Sequence, residues 1–254
     1  MGARNLEPKS NQGRTLDRAL DVLECVTDTH APVSLTHISR TTGLHLATTQ
    51  RVVAQLVKRD YLKNSTSGYT LGPRVLPMSH TFVVQDRLAL LAPSVLSELT
   101  SHTSLTSSVF VRTGDRRVLV ARIEAPNPLS YQFPVGQLLG LFVGGGKVLL
   151  AHAEEADRQR LLADYEPIQF ENGRLQDLDA LLADLEVIRE TGVFISESER
   201  RRGSLSITAP IWAPDNELLG SINLVADSWT TGNSGIVEHK STLMQASQRI
   251  TSQM

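Results

Sequence analysis

Two stretches of this chain gather side chains that could do chemistry. In "LATTQRVVAQLVK", Leu46–Lys58, the positions Thr48, Gln50, Arg51, Gln55 and Lys58 supply hydroxyl, amide, guanidinium and ammonium groups, with the small Ala47 beside them. At about 100° per residue, Thr49, Val52, Val53, Leu56 and Val57 form one apolar stripe, and Ala47, Thr48, Arg51, Gln55 and Lys58 fall opposite. Such a face is either solvated surface or a reader of base edges and phosphates, since Arg suits guanine or phosphate and Thr suits a phosphate oxygen. On periodicity alone the solvated surface is the plainer reading. The second stretch is "GGGK", Gly144–Lys147. It fails as a nucleotide loop, which needs Gly, four residues, then Gly-Lys-Ser/Thr. Position 141 is Leu and Lys147 is followed by Val148. What Gly144, Gly145 and Gly146 offer at the head of a helix is backbone N–H with no Cβ in the way, which suits an anionic group. A sharp strand-to-helix turn is the plainer reading of the same residues.

Catalytic chemistry has little to stand on. There is no Gly-x-Ser-x-Gly, no His-Glu-x-x-His and no Cys/His cluster, and the seven histidines are scattered without ligand spacing. No catalytic residue, metal site or cofactor is expected. The run "ESERRRGS", Glu197–Ser204, reads as a solvated loop or as Arg200–Arg202 meeting an anion at a pocket rim.

The elements that must position these groups follow from pattern. A first helix is expected over Thr15–Thr27, with Leu16, Ala19, Leu20 and Leu23 as one seam and Val22 and Cys25 as a second strip that a partner chain would cover. Ser34 is a natural N-cap for a short helix, Leu35–Thr42, and Gly43 punctuates before the polar-faced helix. The spacing is that of a helix-turn-helix. "YLKNSTSGYTLG" then reads as a hairpin wing, with Lys63 and Asn64 at its tip as weaker candidates for nucleic-acid contact. Arg74–Leu90 reads as a linker helix, and Pro93 opens another that runs to about Thr103. Beyond it, strand pairs around Thr113–Arg116 and Asp215–Asn216 alternate with helices at Leu175–Glu190 and Ser234–Ser252. That alternation predicts an α+β domain with a mostly antiparallel sheet.

Bulk properties agree with a two-part chain. The net charge is −2, yet residues 1–73 hold nine Lys/Arg against six Asp/Glu while the rest holds sixteen against twenty-one. A mildly basic head on an acidic body fits a nucleic-acid module joined to another domain. A single cysteine excludes an internal disulfide framework and fits a reducing cytosol. The first residues lack an apolar signal region, and the longest uncharged window is broken by prolines and glycines, so neither export nor a membrane helix is expected.

Three features together resemble the IclR-type transcriptional regulators: "RTLDRALDVLECV", then "ISRTTGLHLATTQRVVAQLVKRDYL" with "YTLGPRVL", then "GGGKVLLA" followed by "ITAPI" and "LLGSINL". The match runs from about Arg14 to the C-terminus. It departs where Leu46 and Ala47 replace a basic residue and a Ser, where Asp60 replaces a Gly before the wing, and where the pocket segment is richer in glycine. The resemblance implies a winged helix-turn-helix over residues 14–73 after a disordered tail (1–13). A linker helix (74–90) would lead to a GAF-like effector-binding domain (91–254). It also implies that Gly144, Gly145 and Gly146, with Ser196, Ser206 and Asn223, line an effector pocket. The expected partners are double-stranded DNA at a palindromic operator, a small organic-acid effector, and a second copy of the chain in a homodimer, with a tetramer as the larger alternative. A cytoplasmic regulator, repressor or activator, is the leading reading. A metabolic enzyme and a ligand-free interaction module are the alternatives.

Overall fold

A computed structural model describes residues 11–29, 31–128 and 133–254. The chain divides into two compact units, the first ending at Phe82 and the second beginning at Val83. The expected tail 1–13 lies largely outside the described residues, although the backbone of the first helix, α1, already starts at Asn11.

In the first unit, α1 (Asn11–Thr27), α2 (Leu35–Thr42) and α3 (Leu46–Lys58) precede a hairpin of β1 (Leu62–Ser65) and β2 (Gly68–Leu71). The short helix has the expected ends: the Ser34 hydroxyl accepts from the His37 N–H at 3.2 Å, and Gly43 closes it at φ +68°. The hairpin pairs Leu62 with Leu71 and Ser65 with Gly68, and Val33 bridges to Tyr69 on its outer edge. Asp60 takes a left-handed φ of +61°, a conformation that only a few per cent of residues other than glycine adopt. Gly72 is required by approach: a Cβ there would collide with the Asp60 carbonyl oxygen.

The core of this unit corrects the reading of α1. Val22, Cys25 and Val26 are buried against Ile38, Val53 and Leu56, while Leu16 and Leu20 are exposed at 62% and 46%. The strip assigned to a partner is the core face, and the seam assigned to the core is open at Leu16 and Leu20, with Leu23 packed against the core edge. Positions 22, 25 and 26 share one side of a helix turn, and the β-branched and small side chains fit the close approach of α2 and α3. Burial raises the Cys25 thiol pKa, which keeps it an inert core group.

The expected linker helix is two helices. α4 (Val75–Gln85) buries none of its residues. Asp86 breaks the path and caps α5 (Arg87–Thr103), its carboxylate accepting from the Ala89 N–H at 2.7 Å. Pro93 therefore sits inside α5 rather than opening a helix, at the loss of one ladder bond.

The second unit is built on one antiparallel sheet of six strands in the order β5-β4-β3-β10-β9-β8. The strands are β3 (Thr106–Thr113), β4 (Arg116–Ile123), β5 (Leu138–Gly140), β8 (Phe194–Glu197), β9 (Ser204–Trp212) and β10 (Leu218–Asp227). One face is apolar, with Ala121, Val109, Ile222 and Ala209 in register across four strands, and packs on α5 and on α10 (Lys240–Gln253). The other face carries Arg122, Ser108, Asn223 and Thr208 in the next register row. Over part of that face lie α6 (Gly146–Ala151), α7 (Glu155–Ala163) and α8 (Leu178–Thr191), sealed by Leu141, Leu149, Leu181, Leu185 and Phe194. A small hairpin, β6 (Ile168–Gln169) with β7 (Leu175–Gln176), precedes α8. The expected closing helix is also two: α9 (Ser228–Val237), kinked at Gly232, precedes α10. Among the described residues no helix is long and apolar enough to cross a membrane.

The two faces of α1 are separable by mutation. Val22→Ser should destabilise the first unit by about 2–4 kcal/mol, as loss of a filled core position with a buried hydroxyl added does. Leu20→Ser should cost the fold under about 0.5 kcal/mol. Urea melts of the two variants read the difference.

Candidate DNA-reading face and candidate effector site

The reading helix α3 presents the face that its pattern demands. Thr49, Val53 and Leu56 are buried, and the Thr49 hydroxyl donates back to the His45 carbonyl. Ala47, Gln50, Arg51, Gln55 and Lys58 are exposed, and Thr48 is half-buried at the edge of the stripe. Lys63 and Asn64 are exposed on β1. A donor-rich helix flanked by a polar wing matches the shape and chemistry of a major-groove reader.

In the second unit the structure gathers polar groups around Gly144–Gly146, and corrects how the turn is used. The Gly144 N–H donates to Glu199 Oε2 at 2.7 Å, and the Gly146 N–H to the Val143 carbonyl at 3.3 Å. These donors are spent inside the protein, so the turn does not hold a ligand with a row of free N–H groups. Each glycine has a separate cause. Gly144 sits at φ +59°, a Cβ on Gly145 would collide with Thr208 Oγ1 and lie 3.0 Å from Arg117 Nη1, and one on Gly146 would strike the Gly140 and Leu141 carbonyls.

Lys147, the residue after these glycines, is wholly buried and fully paired. Its ammonium donates to Asp184 Oδ2 at 2.7 Å and Glu199 Oε1 at 2.9 Å, and lies 4.7 Å from the Phe194 ring centre. Glu199 thereby binds both the cation and the Gly144 N–H.

A second buried cation is not paired. Arg117, on β4 and 4% exposed, stacks 4.4 Å above the Phe110 ring, and its Nε and Nη1 have no hydrogen-bond partner. Burial, reinforced by the nearby Arg200 charge and opposed by Glu199, pushes its pKa down to about 9, so it stays cationic at neutral pH. Ser196 Oγ and Arg117 Nη2 both lie within 4 Å of where a Gly144 Cβ would stand. Thr208 Oγ1, Ser108 Oγ, Ser221 Oγ and Asn223 Oδ1 are also buried without partners. A buried charge and several unpaired polar atoms on one sheet face are the features of a site for an anion with hydrogen-bonding groups.

The predicted site residues divide accordingly. Gly144, Gly145, Ser196 and Asn223 belong to this group. Ser206 is half-buried beside Ser196 in register, with no polar contact to the cluster described. Gly146 faces backbone only. Arg202 is exposed at a separate cavity of about 490 Å³, beside Asp227 and Trp229. Arg117, Thr208, Ser108 and Ser221 were not singled out from sequence. The signal for Arg117 is its place in line with Leu119 on an alternating strand, an arginine where an apolar side chain is expected. Among the described residues no group of three or more His, Cys, Asp or Glu could hold a metal ion.

Fold and site together are those of a DNA-binding regulator with a ligand-sensing domain. The chain belongs to the IclR family of bacterial transcriptional regulators: the IclR helix-turn-helix domain matches residues 15–65 and the IclR C-terminal domain residues 80–252. It is similar to the HTH-type transcriptional regulator BhcR of Paracoccus denitrificans, 29% identical over 83% of this chain and 76% of that protein. Its fold is shared with an IclR family transcriptional regulator from Brucella abortus (TM-score 0.81, 21% identity, 98% of this chain and 97% of the other). It is also shared with an IclR homologue from Microbacterium hydrocarbonoxydans complexed with 4-hydroxybenzoate (TM-score 0.74, 19% identity, 94% and 98%).

The two buried cations make opposite predictions. Lys147→Met strands the Glu199 and Asp184 carboxylates and should destabilise the second unit by about 3–5 kcal/mol. Arg117→Met exchanges an unpaired buried charge for apolar volume and should leave the ligand-free protein as stable, or more stable by about 1–3 kcal/mol. Thermal melts of both variants test the assignment, and the reverse order refutes it.

Proposed function

We propose that the chain is a cytoplasmic homodimeric regulator that reads a palindromic operator through α3 and responds to a small carboxylate-bearing metabolite bound at Arg117. Thr48, Gln50 and Arg51 reach base edges or phosphates. Ala47 lies against the groove, Gln55 and Lys58 extend the contact, and Lys63 and Asn64 of the wing touch the backbone. The observation that carries the ligand reading is the enclosed Arg117 guanidinium with unpaired Nε and Nη1, donors that the oxygens of an anionic ligand satisfy. Gly144, Gly145, Ser196 and Asn223 border it. The acid bound by the Microbacterium homologue agrees with that chemistry.

The dimer reading rests on uncovered apolar surface. Leu16 and Leu20 on α1 are exposed, as are Leu76, Met78, Phe82 and Val84 on α4, the last four at 67%, 60%, 44% and 49%. That much exposed apolar area is unusual for a monomer and marks an association surface. A two-fold dimer then matches an operator with two-fold symmetry.

Two measurements check these readings. In gel-shift titrations, Arg51→Ala should lower operator affinity by about 1–3 kcal/mol and relax preference at one base, whereas Lys63→Ala should weaken binding less and without changing preference. Equal affinity for wild type and Arg51→Ala refutes the assignment. In sedimentation at micromolar concentration, wild type should run as a dimer or larger, and Leu20→Glu with Phe82→Glu should run as a monomer.

A further inference from the structure

Resting on the carboxylate reading above, we propose that the effector is a polyhydroxylated aliphatic acid, its carboxylate on Arg117 and its hydroxyls on the polar row of the sheet. Ser108, Asn223 and Thr208 stand opposite one another on three adjacent strands, β3, β10 and β9, and Ser221 stands opposite Phe110 in the next row. All four side chains are buried, at 1%, 6%, 0% and 0% exposure for Ser108, Asn223, Thr208 and Ser221. Ser108 Oγ, Asn223 Oδ1, Thr208 Oγ1 and Ser221 Oγ each lack a hydrogen-bond partner. Burying so many unsatisfied polar atoms side by side costs stability with no return in the free protein.

Arg117 borders the row from β4. A Cβ on Gly145 would touch both Thr208 and Arg117, so the Thr208 hydroxyl and the guanidinium border the same space. From Thr208 the row crosses to Asn223 and Ser108, about 10 Å over two strand spacings, the length of a chain of roughly four to six carbons.

The chemistry of these atoms selects the ligand class. A carboxylate only accepts hydrogen bonds, as does Asn223 Oδ1, so the two cannot satisfy each other. Asn223 needs a donor from the ligand, and a ligand hydroxyl is one. The Ser108, Thr208 and Ser221 hydroxyls both donate and accept, and pair with ligand hydroxyls in either sense. An alkyl or aromatic acid would satisfy Arg117 but leave the row unpaired. A site built to bond hydroxyls rejects an analogue that lacks them.

The test is calorimetry and thermal melting of the full-length protein with two sets of acids. One set is straight-chain aldonates of four to seven carbons. The other is the unsubstituted acids of the same lengths, with benzoate. The expected result is that at least one aldonate raises the melting temperature and binds at least tenfold tighter than its unsubstituted counterpart. Thr208→Val and Asn223→Leu should each remove that advantage. The conservative Thr208→Val carries the test if Asn223→Leu does not fold. An unsubstituted or aromatic acid that binds as well as every aldonate overturns this inference and leaves the carboxylate reading standing. Failure of every acid to bind, or binding that Arg117→Met leaves unaltered, overturns the carboxylate reading and this inference together.

Discussion

The second unit depends on hiding one ammonium group. Lys147 is on a short helix inside the apolar cluster, and no path to water is left for its Nζ. Such a charge persists only when carboxylates and ring faces surround it. Asp184 comes from α8 and Glu199 from the loop after β8, so one cation ties α6, α8 and the β8–β9 connection. Glu199 has a second oxygen, and with it holds the Gly144 N–H. The conformation of the glycine turn is thereby set by electrostatics and not by the glycines alone. Their small size lets the turn descend onto Thr208 and Arg117, and Lys147 keeps it there.

Arg117 shows the converse. Two buried cations lie on the same side of one sheet, one saturated with partners and one left with unused donors. The first serves stability, and the second is a cost that stability elsewhere must offset. Buried polar groups without partners are rare in folded chains, and their concentration on a single face is the strongest mark of function in this molecule. The sheet separates the two purposes by alternation: Val109, Ile222 and Ala209 fill one face, and Ser108, Asn223 and Thr208, one residue along each strand, furnish the other.

Where a local rule decides, the chain was legible. Ser34 and Gly43 bound a helix of the stated length, the hairpin tip falls in "KNSTSG", and Asn216 makes its turn at φ +66°. The α3 stripe was legible because one period and one buried side explain it. α1 was misread because it carries two apolar strips, and choosing between them needs the shapes of α2 and α3 that meet it. The break at Asp86 was missed because the flanking residues all favour helix, so the cap competes against a continuous pattern. In the site, Ser196 and Asn223 came from the family resemblance, whereas Arg117 went unseen among Arg112, Arg116 and Arg122 on two neighbouring strands. Which of several strand arginines turns inward depends on register, and a bulge between Val109 and Phe110 shifts that register. The glycine turn was located, but its N–H groups were misassigned because Glu199 is more than fifty residues away in sequence.

The open side chains of α4 have a consequence for the life of the protein in a cell. Eleven residues are too few to hold a helix by local bonds alone, and none of these is buried within its own chain. The order of that segment is therefore borrowed from whatever covers it. On the dimer reading proposed above, an unpaired chain would display it to proteases and chaperones, and a paired chain would not.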